Sequence, residues 1–232
     1  NVDAKGVVTK AHTPGFYTTG DNNWFYADSH GRNVTGAQII NGQHLYFDAN
    51  GRQVKGGFVM NTDGSRSFYH WNTGDKLVST FFTTGHDRWY YADDKGNVVT
   101  GAQVINGQKL FFATDGKQVK GDFATNANGS RSYYHGATGN KLVSTFFTTG
   151  DNNWYYADAK GELVVGEQTI NGQNLYFDQT GKQVKGATAT NPDGSISYYD
   201  VHTGEKAINR WVKIPSGQWV YFNAQGKGYV SN

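Results

Sequence analysis

Three times along this chain a glutamine and a lysine flank a valine: Gln53-Val54-Lys55, Gln118-Val119-Lys120 and Gln183-Val184-Lys185, each followed by glycine. In an extended strand alternate side chains share a face, so glutamine and lysine point one way and valine the other. With valine inward, each copy displays an amide beside an ammonium. Together these groups donate and accept hydrogen bonds, as the hydroxyls of a sugar require. An ordinary solvated strand face has the same alternation. Between copies, however, the neighbouring turn residues vary (Ala49-Asn50, Thr114-Asp115, Gln179-Thr180) while the Gln-Val-Lys run does not.

The second set of candidate groups is aromatic. Adjacent aromatic pairs recur from Phe25-Tyr26 to Tyr221-Phe222. Neighbours in a strand face opposite ways, so one ring of each pair belongs to the core and the other to the surface or to the space between hairpins. Tyr69, Tyr134 and Tyr199 always stand second in their pairs. Exposed rings there, beside hydrogen-bonding groups, would suit a pyranose, whose C–H face is apolar and whose rim is hydroxyls. Most of the other rings must simply pack hairpin on hairpin.

Catalytic chemistry finds less support. Glycoside hydrolysis uses two carboxylates at a defined separation. The glutamates are Glu162, Glu167 and Glu205, all in the last third, and Asp28, Asp93 and Asp158 recur at equivalent turn positions. Every acidic residue is periodic or isolated, so no catalytic residue is assigned. The seven histidines show no metal-ligand spacing. Turns such as Asn61-Thr62-Asp63-Gly64-Ser65 lack the later acidic ligand of an EF-hand loop, and hairpin chemistry explains them better. Neither a metal nor a cofactor is expected.

The elements that must position these groups follow from an internal repeat. Trp24, Trp89 and Trp154 each close a similar Thr-Thr-Gly segment, which sets a period of 65 residues. The turn glycines Gly31, Gly51, Gly74, Gly96, Gly116, Gly139, Gly161, Gly181, Gly204 and Gly226 are spaced 20, 23 and 22 residues apart, three times over. Each unit reads as a β-hairpin, with an aromatic strand, a polar turn ending in a glycine of positive φ, and a second extended stretch. A lone hairpin is marginal in water, so about ten must stack. The expected fold is all-β, a β-solenoid with three hairpins per 65-residue period, forming a single elongated domain over residues 1–232. Gly6-Val7-Val8-Thr9 resembles the second half of a unit, as if the array continued before it.

Composition bounds the rest. Gly 31 among 232 residues is well above the roughly 7% average, and aromatics at 15% must supply much of the burial. A net charge of +2 with interspersed signs gives no footprint for nucleic acid or an acidic membrane. No apolar run approaches the roughly 20 residues of a membrane-spanning helix. The absence of cysteine excludes disulfides and thiol chemistry but leaves secretion open.

Units such as Trp154-Tyr155-Tyr156-Ala157-Asp158-Ala159-Lys160-Gly161 resemble the repeats shared by choline-binding modules and glucan-binding domains. Asn41-Gly42-Gln43-His44-Leu45-Tyr46-Phe47 and Asn171-Gly172-Gln173-Asn174-Leu175-Tyr176-Phe177 resemble, more specifically, the glucan-binding repeats of glucansucrases. These are secreted enzymes of lactic acid bacteria and oral streptococci that make dextran-type α-glucans from sucrose. The resemblance covers about residues 6–232. It implies a non-catalytic, monomeric, extracellular or cell-surface module that binds α-glucan or isomalto-oligosaccharides for a parent glucansucrase. It also implies sugar-binding roles for Gln53, Lys55, Gln118, Lys120, Gln183 and Lys185, with Tyr69, Tyr134 and Tyr199 as stacking rings. Ala187, set against Phe58 and Phe123 of the other periods, is expected to weaken the third pocket. The alternative is a choline-binding module anchored to teichoic acid, in which aromatic cages hold a quaternary ammonium. A lysine in such a cage would repel that ligand.

Overall fold

The computed structural model describes residues 11–21, 23–150 and 153–230, so Gly6–Thr9 lies outside the described residues. The described residues form twenty strands and no helix, arranged as ten two-stranded antiparallel sheets that each join consecutive strands. The all-β hairpin array is therefore present. All ten repeat-marking glycines have positive φ, between 70° and 82°.

The phase of the hairpin differs from the expectation. β3 (Gly36–Ile40) turns through Asn41-Gly42 into β4 (Gln43–Phe47), with Ala37 opposite Tyr46 and Gly36 opposite Phe47. Asn41 and Gly42, at φ 52° and 79°, supply the two left-handed residues of a tight hairpin turn. The aromatic strand is thus the second strand of its hairpin. The stretch after the glycine turn makes only one bridge back, Phe47 to Gln53. Gly56, at φ 63°, ends its extension before more pairs can form.

That stretch instead stitches successive hairpins together. The amide of Gln53 donates to the Trp24 carbonyl at 2.7 Å, that of Lys76 to His44 at 2.9 Å, and that of Gln183 to Trp154 at 2.7 Å. The recurring aspartates brace the turns. Asp48 Oδ1 accepts from the amides of Asn50 and Arg52, both at 2.9 Å, and Asp28, Asp93, Asp158 and Asp178 do the same locally. Their periodicity is therefore the periodicity of turns.

The chain divides into two compact units, Asn1–Gln103 with Phe112–Gln118, and Val104–Phe111 with Val119–Asn232. In the first, Phe68 stacks on Phe82 at 4.6 Å, Phe82 stacks on Tyr90 at 5.3 Å, and Phe58 meets Phe68 edge-on at 4.9 Å. The Arg66 guanidinium lies 4.7 Å from the Phe58 centroid. The second unit repeats this packing with Phe123, Tyr133, Phe147 and Tyr155, but its last cluster, Ala207, Ile214, Val220 and Phe222, is mainly aliphatic. Register also corrects an equivalence. Phe58 pairs with Phe68, Phe123 with Tyr133 and Thr188 with Tyr198, so Thr188, and not Ala187, stands in place of the two phenylalanines.

Candidate functional site

Each Gln-Val-Lys run lies just after a glycine turn, where the inter-hairpin stitch fixes its backbone. The glutamines do not occupy an outward, solvated face. Gln53, Gln118 and Gln183 are only 8%, 6% and 7% exposed. Gln53 Nε2 donates to the Thr73 carbonyl at 3.2 Å, and Gln183 Nε2 to that of Thr203 at 3.5 Å. A buried amide needs such partners, because an unmade hydrogen bond there costs about 1–3 kcal/mol. Gly74 and Gly204 make the room: a Cβ on either would collide with the glutamine Nε2.

The lysines stay partly exposed, and Lys55 and Lys185 reach over tryptophan. Lys55 Nζ is 5.0 Å from the Trp24 ring centroid, and Lys185 Nζ is 5.2 Å from that of Trp154. Lys185 also donates to the His202 carbonyl at 3.4 Å. In the middle copy the Gln118 amide donates to the Trp89 carbonyl at 2.7 Å, the same stitch as in the other two.

The aromatic assignment changes. Tyr69, Tyr134 and Tyr199 are 3%, 1% and 1% exposed, which leaves no ring face for a ligand. Tyr69 packs on Tyr46 at 5.9 Å, Tyr134 on Phe111 at 5.7 Å and Tyr199 on Tyr176 at 5.4 Å. The second ring of these pairs faces the neighbouring hairpin, which covers it. The ring that accompanies Gln and Lys in the first and third copies is tryptophan, at Trp24 and Trp154. These tryptophans mark the same 65-residue period as Gln-Val-Lys, and that shared spacing was the available signal.

In the second unit the constellation opens on a cleft of about 620 Å³, whose lining includes Asn153, Trp154, Lys182, Gln183, Lys185 and His202. A shallower recess of about 240 Å³ shares Trp154, Gln183 and Lys185 with it, and adds Phe146, Gln173 and Thr203. Asp178 stands at the cleft. Burial works against its charge, but hydrogen bonds from Thr180 and Lys182 prevail and hold its carboxyl below the usual range. An indole face, an ammonium and a fixed amide together can hold a polyol by stacking and hydrogen bonding. The site contains no pair of free carboxylates for hydrolysis among the described residues.

The choline-binding repeat matches residues 34–81, 99–146 and 164–211, and a cell wall binding repeat matches residues 79–98, 144–163 and 209–227. Among curated relatives, Glucosyltransferase-S of Streptococcus mutans serotype c is 39% identical over 206 residues, covering 89% of this chain and 14% of that protein. Glucosyltransferase-I of the same organism is 46% identical over 190 residues, covering 82% of this chain and 13% of that protein. The chain thus spans about a seventh of the length of these relatives. Among solved structures, choline binding protein F of Streptococcus pneumoniae superposes with a TM-score of 0.65 at 19% identity, covering 90% of this chain and 76% of that one. At that identity the likeness is one of fold.

Proposed function

Because the chain belongs to the choline-binding, cell-wall-binding repeat family, a family of binding modules, we propose that it is the glucan-binding region of a larger secreted glucansucrase and holds α-glucan such as dextran or isomalto-oligosaccharides. In this reading the hairpins of each unit stack as a β-solenoid. A glucose ring lies against Trp24, Trp89 or Trp154, with its hydroxyls bonded by the paired lysine and glutamine. The observation that carries the reading is the geometry of the third site, where Lys185 sits over Trp154 beside the buried Gln183 amide.

The family match favours a second reading, choline. The lysine argues against it at these sites. Two unit charges about 5 Å apart repel by roughly 3 kcal/mol at an effective dielectric of about 20, more than a typical cation–π contact returns. A neutral polyol meets no such repulsion.

One shallow site should bind weakly, at about millimolar, which corresponds to roughly −4 kcal/mol. A polymer engaging two sites gains from effective concentration, by roughly 10²–10⁴. Calorimetry with isomaltotriose, dextran and choline tests the reading. Isomaltotriose should bind at the millimolar level, dextran far more tightly and choline not at all. Gln183→Ala with Lys185→Ala should remove the third site and reduce retardation in dextran-loaded native gels. Choline binding that survives in the absence of any dextran retardation would replace the glucan reading with the choline one.

A further inference from the structure

A second groove, away from the Gln-Trp-Lys site, differs between the first and third periods at a central strand residue. In the third period, Glu167 on β15 (Gly166–Ile170) lies opposite Tyr176. Its Oε1 accepts from the Tyr199 phenol at 2.9 Å and from Lys206 Nζ at 2.5 Å. The carboxylate is 53% exposed, so it sits in the mouth of a groove of about 490 Å³ rather than beneath it. In the first period the same strand position, opposite Tyr46, is Ala37.

The groups that hold Glu167 nonetheless remain. Tyr69 and Lys76, the equivalents of Tyr199 and Lys206, line a groove of about 520 Å³ together with Ala37. Both lysine stems lie across a glycine, Gly96 and Gly226, where a Cβ would collide with the lysine Cε, so the two ammonium groups are set alike. Lys76 makes no ion pair among the described residues. Asp63 lies within its field, but its Oδ1 is taken by the Ser65 amide at 2.9 Å and hydroxyl at 2.6 Å. The rim differs as well. Ile39 and Met60, 70% and 62% exposed, flank the first groove, where the third period has Thr169 and Thr190.

We propose that the groove of the first period binds a small organic carboxylate. The carboxyl group takes the place that Glu167 fills in the third period, bonded by Tyr69 and Lys76. The alkyl body lies along Ile39 and Met60. In the third period the protein's own glutamate is the occupant, so the anion position of that groove is already filled. The Tyr–Lys pair selects the anion by a charge-assisted hydrogen bond, and the apolar rim selects an alkyl chain over a bare ion.

Met60 is the only methionine in the chain, so its ¹³C-methyl gives a single resonance at the rim. Butyrate should shift it saturably, while butanol and isomaltotriose should leave it in place. Ala37→Glu should weaken butyrate at least tenfold by filling the groove from within. Glu167→Ala should add a second butyrate site, weaker than the first because Thr169 and Thr190 replace its apolar rim, reported by the Ile208 methyl that lines the third-period groove. Should Ala37→Glu fail to fold, Lys76→Gln must give the same tenfold loss. The proposal is overturned by the absence of a saturable shift, by equal shifts from butanol or isomaltotriose, or by unchanged butyrate affinity in the folded variants.

Discussion

The first and third periods carry the same Gln-Trp-Lys constellation over different supports. Beside the first, Phe58, Phe68, Phe82 and Tyr90 form a continuous aromatic stack. In the third, Thr188 replaces the phenylalanine at the stack's edge, and Tyr198 meets a single ring among the described residues, Phe222 at 6.2 Å, within a mainly aliphatic cluster. Ion pairs Lys206–Glu167 and Lys227–Asp193, both 2.5 Å, join the packing there. The lysine-to-indole distance is nevertheless 5.0 Å in one and 5.2 Å in the other. Backbone stitches and turn glycines set the site, while side-chain packing between hairpins sets stability. The two layers vary separately.

The largest expected effect breaks the comparison in the packing layer. Phe68→Ala removes a ring that is 2% exposed and touches Phe58, Phe82 and Trp71. Deleting such a ring costs about 3–5 kcal/mol, or roughly 10 °C in Tm for a chain of this size. Tyr198→Ala, at the equivalent but half-buried position, should lower Tm clearly less. Differential scanning calorimetry of both variants checks this, and equal losses would mean that the aromatic stack adds nothing beyond burial.

The next effect falls on the seam between the layers. Gly204→Ala and Gly194→Ala both place a side chain at positive φ, 73° and 80°, and each should cost about 1–3 kcal/mol. A Cβ at Gly194 meets nothing within 4 Å, whereas at Gly204 it runs into the Gln183 amide. Both melts should fall through the shared backbone strain, and that of Gly204→Ala further, because it also displaces the buried Gln183 amide. Only Gly204→Ala should abolish the isomaltotriose-induced shift of the Trp154 indole N–H in NMR spectra. Loss of that shift in both would mean that turn strain, and not the amide, disables the site.

The hairpin count, the all-β class and the turn glycines were legible because each rests on local chemistry. Positive φ selects Gly31 through Gly226, and the 65-residue period shows directly in the sequence. The phase of the hairpins differs from the expectation because both flanking stretches of every aromatic strand are extended. The sequence signal that decides it is the Asn41-Gly42, Asn106-Gly107 and Asn171-Gly172 turns, with Gly56 and its equivalents ending the other stretch. The burial of the rings expected to stack on sugar is hidden for a related reason. Alternation tells which rings share a face, but burial of Tyr69, Tyr134 and Tyr199 depends on the neighbouring hairpin, a contact that strand periodicity does not encode. The burial of Gln53 is hidden for the same reason, although its residue type and spacing mark it in the sequence.

The smallest effect tests the ion pairs that distinguish the third period. Burial works against the charge of Glu167, but hydrogen bonds from Lys206 and Tyr199 prevail and hold its carboxyl below the usual range. A folded-state pKa below the unfolded one gives stability that is present above the ordinary carboxylate pKa and is lost as pH falls through the folded value. The side chain is 53% exposed, so solvent screening limits the contribution to about 0–1 kcal/mol. Wild type should therefore be slightly more stable than Glu167→Gln at pH 6, and the difference should shrink as pH is lowered toward 3, where the carboxylate is increasingly protonated. Asp28, Asp63, Asp178, Asp193 and Asp200 are also held low, so absolute stability falls in both proteins. The informative quantity is the difference in Tm between the two across the pH series. A difference that stays constant with pH would assign the Glu167 contribution to packing against Tyr176 and Tyr199, and the third period would then owe nothing to its charge.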